Sequence, residues 1–190
     1  LDQARNQLAQ AGYSAAVPLP ITLHYLNDGR YSDREEAYAT AIKTQLEETG
    51  VFSVTLESAG WDVYRNQIAQ CNYPAYLLGW PAPGQPVSYL DPTSWMDFFI
   101  RDVRNAEDEP CNNYSSYDSS AMGLLSERGL EEVQTAARQD IYRQQQELWA
   151  TDVPTLPLLQ SPRHAISLPT ISGVQIDALG LMRYQFLDKR

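Results

Sequence analysis

Hydrophobic positions along this chain switch between two periods. Ile21, Leu23 and Tyr25 alternate with Thr22 and His24, and Phe52, Val54 and Leu56 alternate with Ser53, Thr55 and Glu57, the two-residue period of strands. Between them Tyr38, Ile42 and Leu46 recur at helical spacing. Ser32 and Glu35 predict a capping box at the start of that helix, Asp33 and Glu36 add negative charge at its positive end, and Gly50 predicts its stop. A further helix is predicted from about Trp61 to Gln70. The apolar run Ala75 to Leu78, ending at Gly79-Trp80, has the pattern of a strand covered on both faces. Strand, helix, strand, helix, strand is the order of an α/β fold, because crossovers of this length join parallel neighbours.

The flanking segments are simpler. Leu1, Ala4, Leu8 and Ala11 fall on one helical face, and Gly12 is the expected stop. Arg101 to Ser120 is polar and turn-rich, with Asp118 or Ser119 able to cap a short helix over Ala121 to Leu125. Gly129 is expected to separate it from the longest helix. Val133, Ala137, Ile141 and Leu148 mark that helix's apolar stripe, and Asp152 with Pro154 closes it. Thr155 to Leu159 and Arg163 to Leu168 are strand-like, and the tail from Ile171 to Phe186 alternates weakly. No internal repeat appears.

Parallel strands bring their carboxyl ends to one edge. Asn27-Asp28, Ala59-Gly60-Trp61 and Trp80-Pro81 are therefore expected along a single rim, the usual ligand crevice of an open α/β sheet. The chain leaves that rim at Trp80 in a loop stiffened by Pro81, Pro83, Pro86 and Pro92. Trp61, Trp80 and Tyr89 are the candidate lining of the crevice. Asp28 and Asp62 near the strand ends are ordinarily turn and cap residues, and face a ligand if the crevice is real. Trp95, Phe98 and Phe99 are spaced as core residues of a short helix, and Trp149 is expected to be buried. Asp91 is read as stabilising its loop. Asn113 and Tyr114 are left undecided between structure and cleft.

The formal net charge of -10 and the lack of any Lys/Arg run exclude nucleic acid and anionic membrane as natural partners. At 190 residues and 43% hydrophobic content the chain is long enough for a sizeable core. No stretch approaches the length of a membrane span, and no signal-peptide pattern opens it. Position 1 therefore reads as a cut inside a longer protein. Cys71 and Cys111 sit in polar loops; they are either unrelated thiols or, in an exported setting, a disulfide. A bridge would stabilise by roughly 3 to 4 kcal/mol on the chain-entropy model. His24 and His164 lack ligand spacing, so no metal is expected. Asp28, Asp62, Asp91 and His24 are the acid-base candidates of an enzyme reading. No nucleophile elbow, phosphate loop or dinucleotide fingerprint accompanies them, and no enzyme or cofactor is expected.

A series of motifs points to a family. LDQARNQLAQAGY resembles the helix that opens the second lobe of bacterial extracellular solute-binding proteins of family 5, which serve oligopeptide, dipeptide and nickel importers. LEETGV (Leu46 to Val51), WDVY (Trp61 to Tyr64), Gly79-Trp80, Leu90-Asp91-Pro92, Asn113-Tyr114, Ala137-Arg138 to Tyr142 and DVPTLP (Asp152 to Pro157) follow in the family's order. The tail ISGVQIDALG is similar to the last segment of full-length members. The resemblance implies a periplasmic-binding-protein-like lobe with a largely parallel sheet flanked by helices over 1–172, and a tail over 173–190 that crosses to a first lobe. It also implies capture of a peptide or other small solute for an ABC permease, in an extracytoplasmic setting, with Trp61 and Trp80 lining the cleft. A ligand-sensing domain of a regulator built on the same lobe is the alternative. Where oligopeptide binders carry an acidic residue after Gly-Trp this chain has Pro83, and an arginine before it in some members is Leu77 here. Charge recognition is thus expected to be reduced, leaving aromatic rings to stack on a sugar, an aromatic compound or an apolar side chain.

Overall fold

Strand β1 (Leu19–Leu26) pairs in parallel with β2 (Phe52–Ala59) along its whole length, from Leu19 opposite Phe52 to Leu26 opposite Ala59. On its other side β3 (Ala75–Tyr76) pairs in parallel at Leu23 and His24, giving the order β2-β1-β3. The computed structural model describes residues 2–79, 91–92, 99, 113–159, 164–177 and 182–189. Trp80, Tyr89, Trp95, Phe98 and Cys111 lie outside them. The chain divides into two compact units, the first holding residues 2–79 and the second the described residues from 91 onward.

In the first unit, α2 (Glu35–Glu47) covers the sheet through Ala39, which has no exposed surface and packs with Leu23 and Val54. Ile42, Leu46 and Leu56 close the edges of this cluster. The capping box does not form. Ser32 instead accepts the Arg34 N–H at 3.1 Å, and the helix begins at Glu35, whose carboxylate turns inward to the Leu26 amide. Gly50 stops the segment in the left-handed region, φ +78°, where a side chain would be strained.

A central parallel strand buries both faces, so the polar position His24 is as hidden as its neighbour Leu23. Its ring stacks on Tyr73, centroids 3.7 Å apart. From α3 (Trp61–Ala69), the buried Tyr64 hydroxyl donates to the Leu77 carbonyl at 2.6 Å and lies 3.0 Å from that of His24. Burial raises its pKa well above the ordinary tyrosine range. One hydroxyl thus ties the helix to β1 and to the end of β3. The third strand is shorter than its apolar run suggests, two half-buried residues rather than a segment reaching Trp80. The reason is position: β1 takes the covered centre and β3 the edge. Helix α1 (Asp2–Gln10) forms as expected but buries none of its residues.

The second unit is built on α4 (Ser120–Glu131) and α5 (Thr135–Asp152). The Ser119 hydroxyl accepts the Met122 N–H at 3.3 Å, the predicted N-cap. Met122 and Tyr142 form the core, with Phe99, Tyr117, Leu148 and Trp149 against them. Trp149 is half-buried and donates its indole N–H to the Thr155 carbonyl at 3.0 Å. Gly129 does not break the chain. It lies inside α4 because the Tyr142 ring packs 3.2 Å from where a Cβ would stand. Val133, expected on the apolar stripe, is 85% exposed between the helices. Asp91 pairs with Arg138 at 2.7 Å, and Asn113 folds its own loop by donating to the Tyr117 carbonyl and accepting the Ser115 and Tyr117 amides. The strand-like runs after Pro154 form no strand among the described residues, and Leu156, Leu158, Ile166 and Leu168 stay exposed. Alternation alone makes no strand without a neighbour to pair with. The tail closes as β4 (Ile171–Ser172) antiparallel to β5 (Asp188–Lys189). No helix among the described residues is long and apolar enough to cross a membrane.

Burial holds the His24 imidazole below its ordinary value of 6.5, while Glu57, 3.7 Å from Nδ1, acts in the opposite direction. As the pH falls the unfolded chain takes up this proton first, so the stability contribution is intact above about pH 6.5 and lost below it. Urea midpoints should therefore fall between about pH 7.5 and about pH 5, and fall less in His24→Gln. Equal pH dependence in the two proteins would remove His24 as the cause.

Candidate functional site

The carboxyl ends of β1 and β2 are held level by short bonds. The Asn27 N–H donates to the Ala59 carbonyl at 3.2 Å, and its side-chain amide to the Ser58 hydroxyl at 3.1 Å. One residue on, Asp28 spans the gap between them. Oδ2 accepts the Trp61 N–H at 2.7 Å and Oδ1 accepts the Arg30 N–H at 3.1 Å. The N-cap of α3 is Gly60, which has no side chain to offer. Asp28, arriving from another strand, supplies the missing acceptor and puts its charge at the helix's positive end.

Trp61 is half-buried at that helix start. The Arg30 guanidinium lies over its indole, Cζ 4.0 Å from the ring centroid, and Tyr31 meets the indole edge-on at 6.1 Å and 87°. Tyr31 reaches this place across Gly79, where a Cβ would stand 2.5 Å from its ring. Only glycine lets the ring approach so closely. All three strand ends thus contribute: Asp28, Arg30 and Tyr31 after β1, Trp61 after β2, Gly79 after β3. An indole face with a stacked cation beside a fixed carboxylate offers both an apolar platform and charge.

Asp28 and Trp61 are brought together as anticipated. Asp62 is exposed in the first turn of α3 and takes no part in these contacts. Trp80 and Tyr89 fall outside the described residues. Cys71 is disulfide-bonded; Cys111, the other cysteine of the chain, is also outside them. Sequence reasoning overlooked Arg30 and Tyr31 because both follow the Asn27-Asp28-Gly29 turn, where polar residues are ordinarily solvated. Their signal was adjacency to a strand end already assigned to the rim. The expectation of reduced charge recognition drew on Leu77 and Pro83 and did not weigh Arg30. Under the edge lies Glu35, 7% exposed, with Oε2 unpartnered and its pKa raised by burial. No group of side chains that could hold a metal ion occurs among the described residues.

The second unit has a separate cavity of about 480 Å³ lined in part by Leu130, Val133, Arg138 and Tyr142. Its cation is already committed, since Arg138 donates to Asp91, the Gly129 carbonyl and the Tyr142 hydroxyl.

The fold is that of a periplasmic-binding-protein lobe, an α/β layer with a parallel sheet and flanking helices. The chain is 23% identical over 172 residues to the periplasmic oligopeptide-binding protein OppA of Salmonella typhimurium, a match covering 90% of this chain and 29% of that protein. OppA of Burkholderia pseudomallei matches in structure with a TM-score of 0.71 and 24% identity, over 90% of this chain and 31% of the other. A dipeptide-binding protein of Pseudoalteromonas sp. SM9913, solved with Met-Leu, matches over all of this chain and 35% of its own, with a TM-score of 0.71 and 16% identity. No protein-family model matches. The chain is thus similar to oligopeptide- and dipeptide-binding solute-binding proteins of the family that its motifs resemble, and it spans under a third of the length of the curated relative.

Replacing Asp28 by alanine leaves the Trp61 and Arg30 amides without their acceptor. The loss should be about 1 kcal/mol, the usual cost of a deleted helix cap at an exposed end. Urea unfolding followed by circular dichroism measures it, and an unchanged midpoint would show that Asp28 does not hold the rim.

Proposed function

We propose that these residues are the carboxy-terminal lobe of an extracytoplasmic solute-binding protein, which captures a peptide or other small solute and delivers it to an ABC permease. The observation that carries this reading is the convergence of three parallel strand ends on one rim bearing Trp61, Arg30 and Asp28. Such a rim is where open α/β sheets hold their ligands. The similarity to peptide-binding proteins along nearly the whole chain supports it, and the small share of those relatives that is covered supports a two-lobe parent. In this reading 1–172 form the lobe and 173–190 cross to the first lobe, which agrees with the exposed Tyr184 and Phe186.

Capture is an equilibrium. An open form exposes the rim, contacts from both lobes favour closure, and the permease takes the closed form. Trp61, Trp80 and Tyr89 stack on the solute, Asp28 fixes the rim, and Asp62 is the exposed carboxylate nearest to it in sequence. No bond is made or broken, so neither catalytic group nor cofactor is needed. Cys71 and Cys111 pair with each other, since an exported protein meets an oxidising compartment.

Half of the closing surface belongs to the other lobe. Isothermal calorimetry on the 190 residues alone should therefore find no di- or tripeptide binding of micromolar strength, whereas the same chain joined to its first lobe should gain thermal stability with one of peptides, sugars or nickel chelates. Micromolar binding by the lobe alone, or no stabilisation of the two-lobe protein by any of them, would overturn the reading. For the thiols, Ellman titration of the denatured, unreduced protein should detect none. Two reactive thiols would remove the Cys71–Cys111 pair.

A further inference from the structure

We propose that Arg30 is the anion contact of this rim, its guanidinium taking a carboxylate of the bound solute while Trp61 supports both. The inference rests on the solute-binding role proposed above and names a chemical class for the ligand. Arg30 lies over Trp61, Cζ 4.0 Å from the ring centroid, yet its side chain makes no hydrogen bond and no ion pair with any described residue. Nε is shielded from solvent without a partner, which leaves the Nη groups as the donors within a ligand's reach.

Carboxylates are plentiful in this chain, acidic residues outnumbering basic ones 24 to 14, and several arginines take one, as in Arg138 with Asp91, Arg183 with Asp177 and Arg5 with Asp2; Arg30 does not. The carboxylate nearest to Arg30 in sequence is Asp28, and both of its oxygens are engaged by backbone amides, those of Trp61 and of Arg30 itself. Asp28 therefore fixes the backbone under the arginine and leaves the head group unsatisfied. Contact with the indole restrains the guanidinium, so less side-chain freedom remains to be lost on binding. A fixed planar fork matches a carboxylate, which accepts two parallel N–H bonds. The adjoining indole then receives the carbon skeleton beside that carboxylate.

The test compares tri-alanine with its C-terminal amide, titrated to high millimolar concentration into the ¹⁵N-labelled chain. The resonances followed are the Arg30 Nε–H, assigned by its loss in Arg30→Lys, and the Trp61 indole N–H, assigned by its loss in Trp61→Phe. Free tri-alanine should shift both, and the amide should bind roughly tenfold or more weakly, the ordinary consequence of losing a charge-assisted hydrogen bond. Arg30→Gln, whose dispersed spectrum verifies the fold, should abolish the preference for the acid. Equal Trp61 shifts with acid and amide and no movement at Arg30 would overturn the carboxylate contact while leaving solute binding standing. No shift of either resonance with either peptide would also overturn the carboxylate contact, while solute binding itself stands or falls with the stabilisation of the two-lobe protein by peptides, sugars or nickel chelates.

Discussion

Parallel pairing of β1 and β2 is the constraint on which the rim depends. With Leu26 opposite Ala59, both strands end at the same height, and the next residues of each chain meet across the gap. Asp28 can then reach the Trp61 amide, a bond spanning 33 positions of sequence. A slip of one residue would turn every side chain of a strand to the opposite face. It would also separate Asp28 from α3. The register is protected by burial, because Leu23 and Val54 pack together beneath Ala39 of α2 when the two strands are aligned.

From that register a small ring-and-charge cluster follows. Asp28 turns the chain so that Arg30 and Tyr31 come back over Trp61, and the missing side chain at Gly79 admits Tyr31. Beneath it, Tyr64 ties α3 to the carbonyls of His24 and Leu77. Polar atoms do the positioning while rings supply the surface. In the second unit polar atoms again do the positioning: Gln145 donates to the Ser126 hydroxyl at 2.8 Å between two helices, both residues fully buried, and Asp91 pairs with Arg138. The guanidinium on Trp61, which makes no ion pair with a described residue, is what suits a ligand.

Much of this was legible in the residues. Alternation at Ile21 to Tyr25 and Phe52 to Leu56, with helical spacing between, yielded β1, α2 and β2 within a few residues, because burial of one face leaves its period in the chain. Ser119 as a cap and Asp152 as the end of α5 were also readable, since both answer to local chemistry. The errors fall where a neighbour decides. Glu35 serves the Leu26 amide instead of a capping box, Gly129 makes room for Tyr142 instead of ending a helix, and Leu156 to Leu168 find no strand to join among the described residues.

By itself, then, the order of periods determined an α/β layer with parallel neighbours, and from that alone the meeting of Asp28 and Trp61 at one edge. That much is local, since hydrophobic spacing and crossover length are properties of short segments. Tertiary structure alone decided that β1 is central, that β3 shortens to two residues, and that Arg30 rather than Asp62 faces the indole. These depend on which surfaces meet across tens of residues, and a stacking contact such as Arg30 on Trp61 leaves no period behind in the chain.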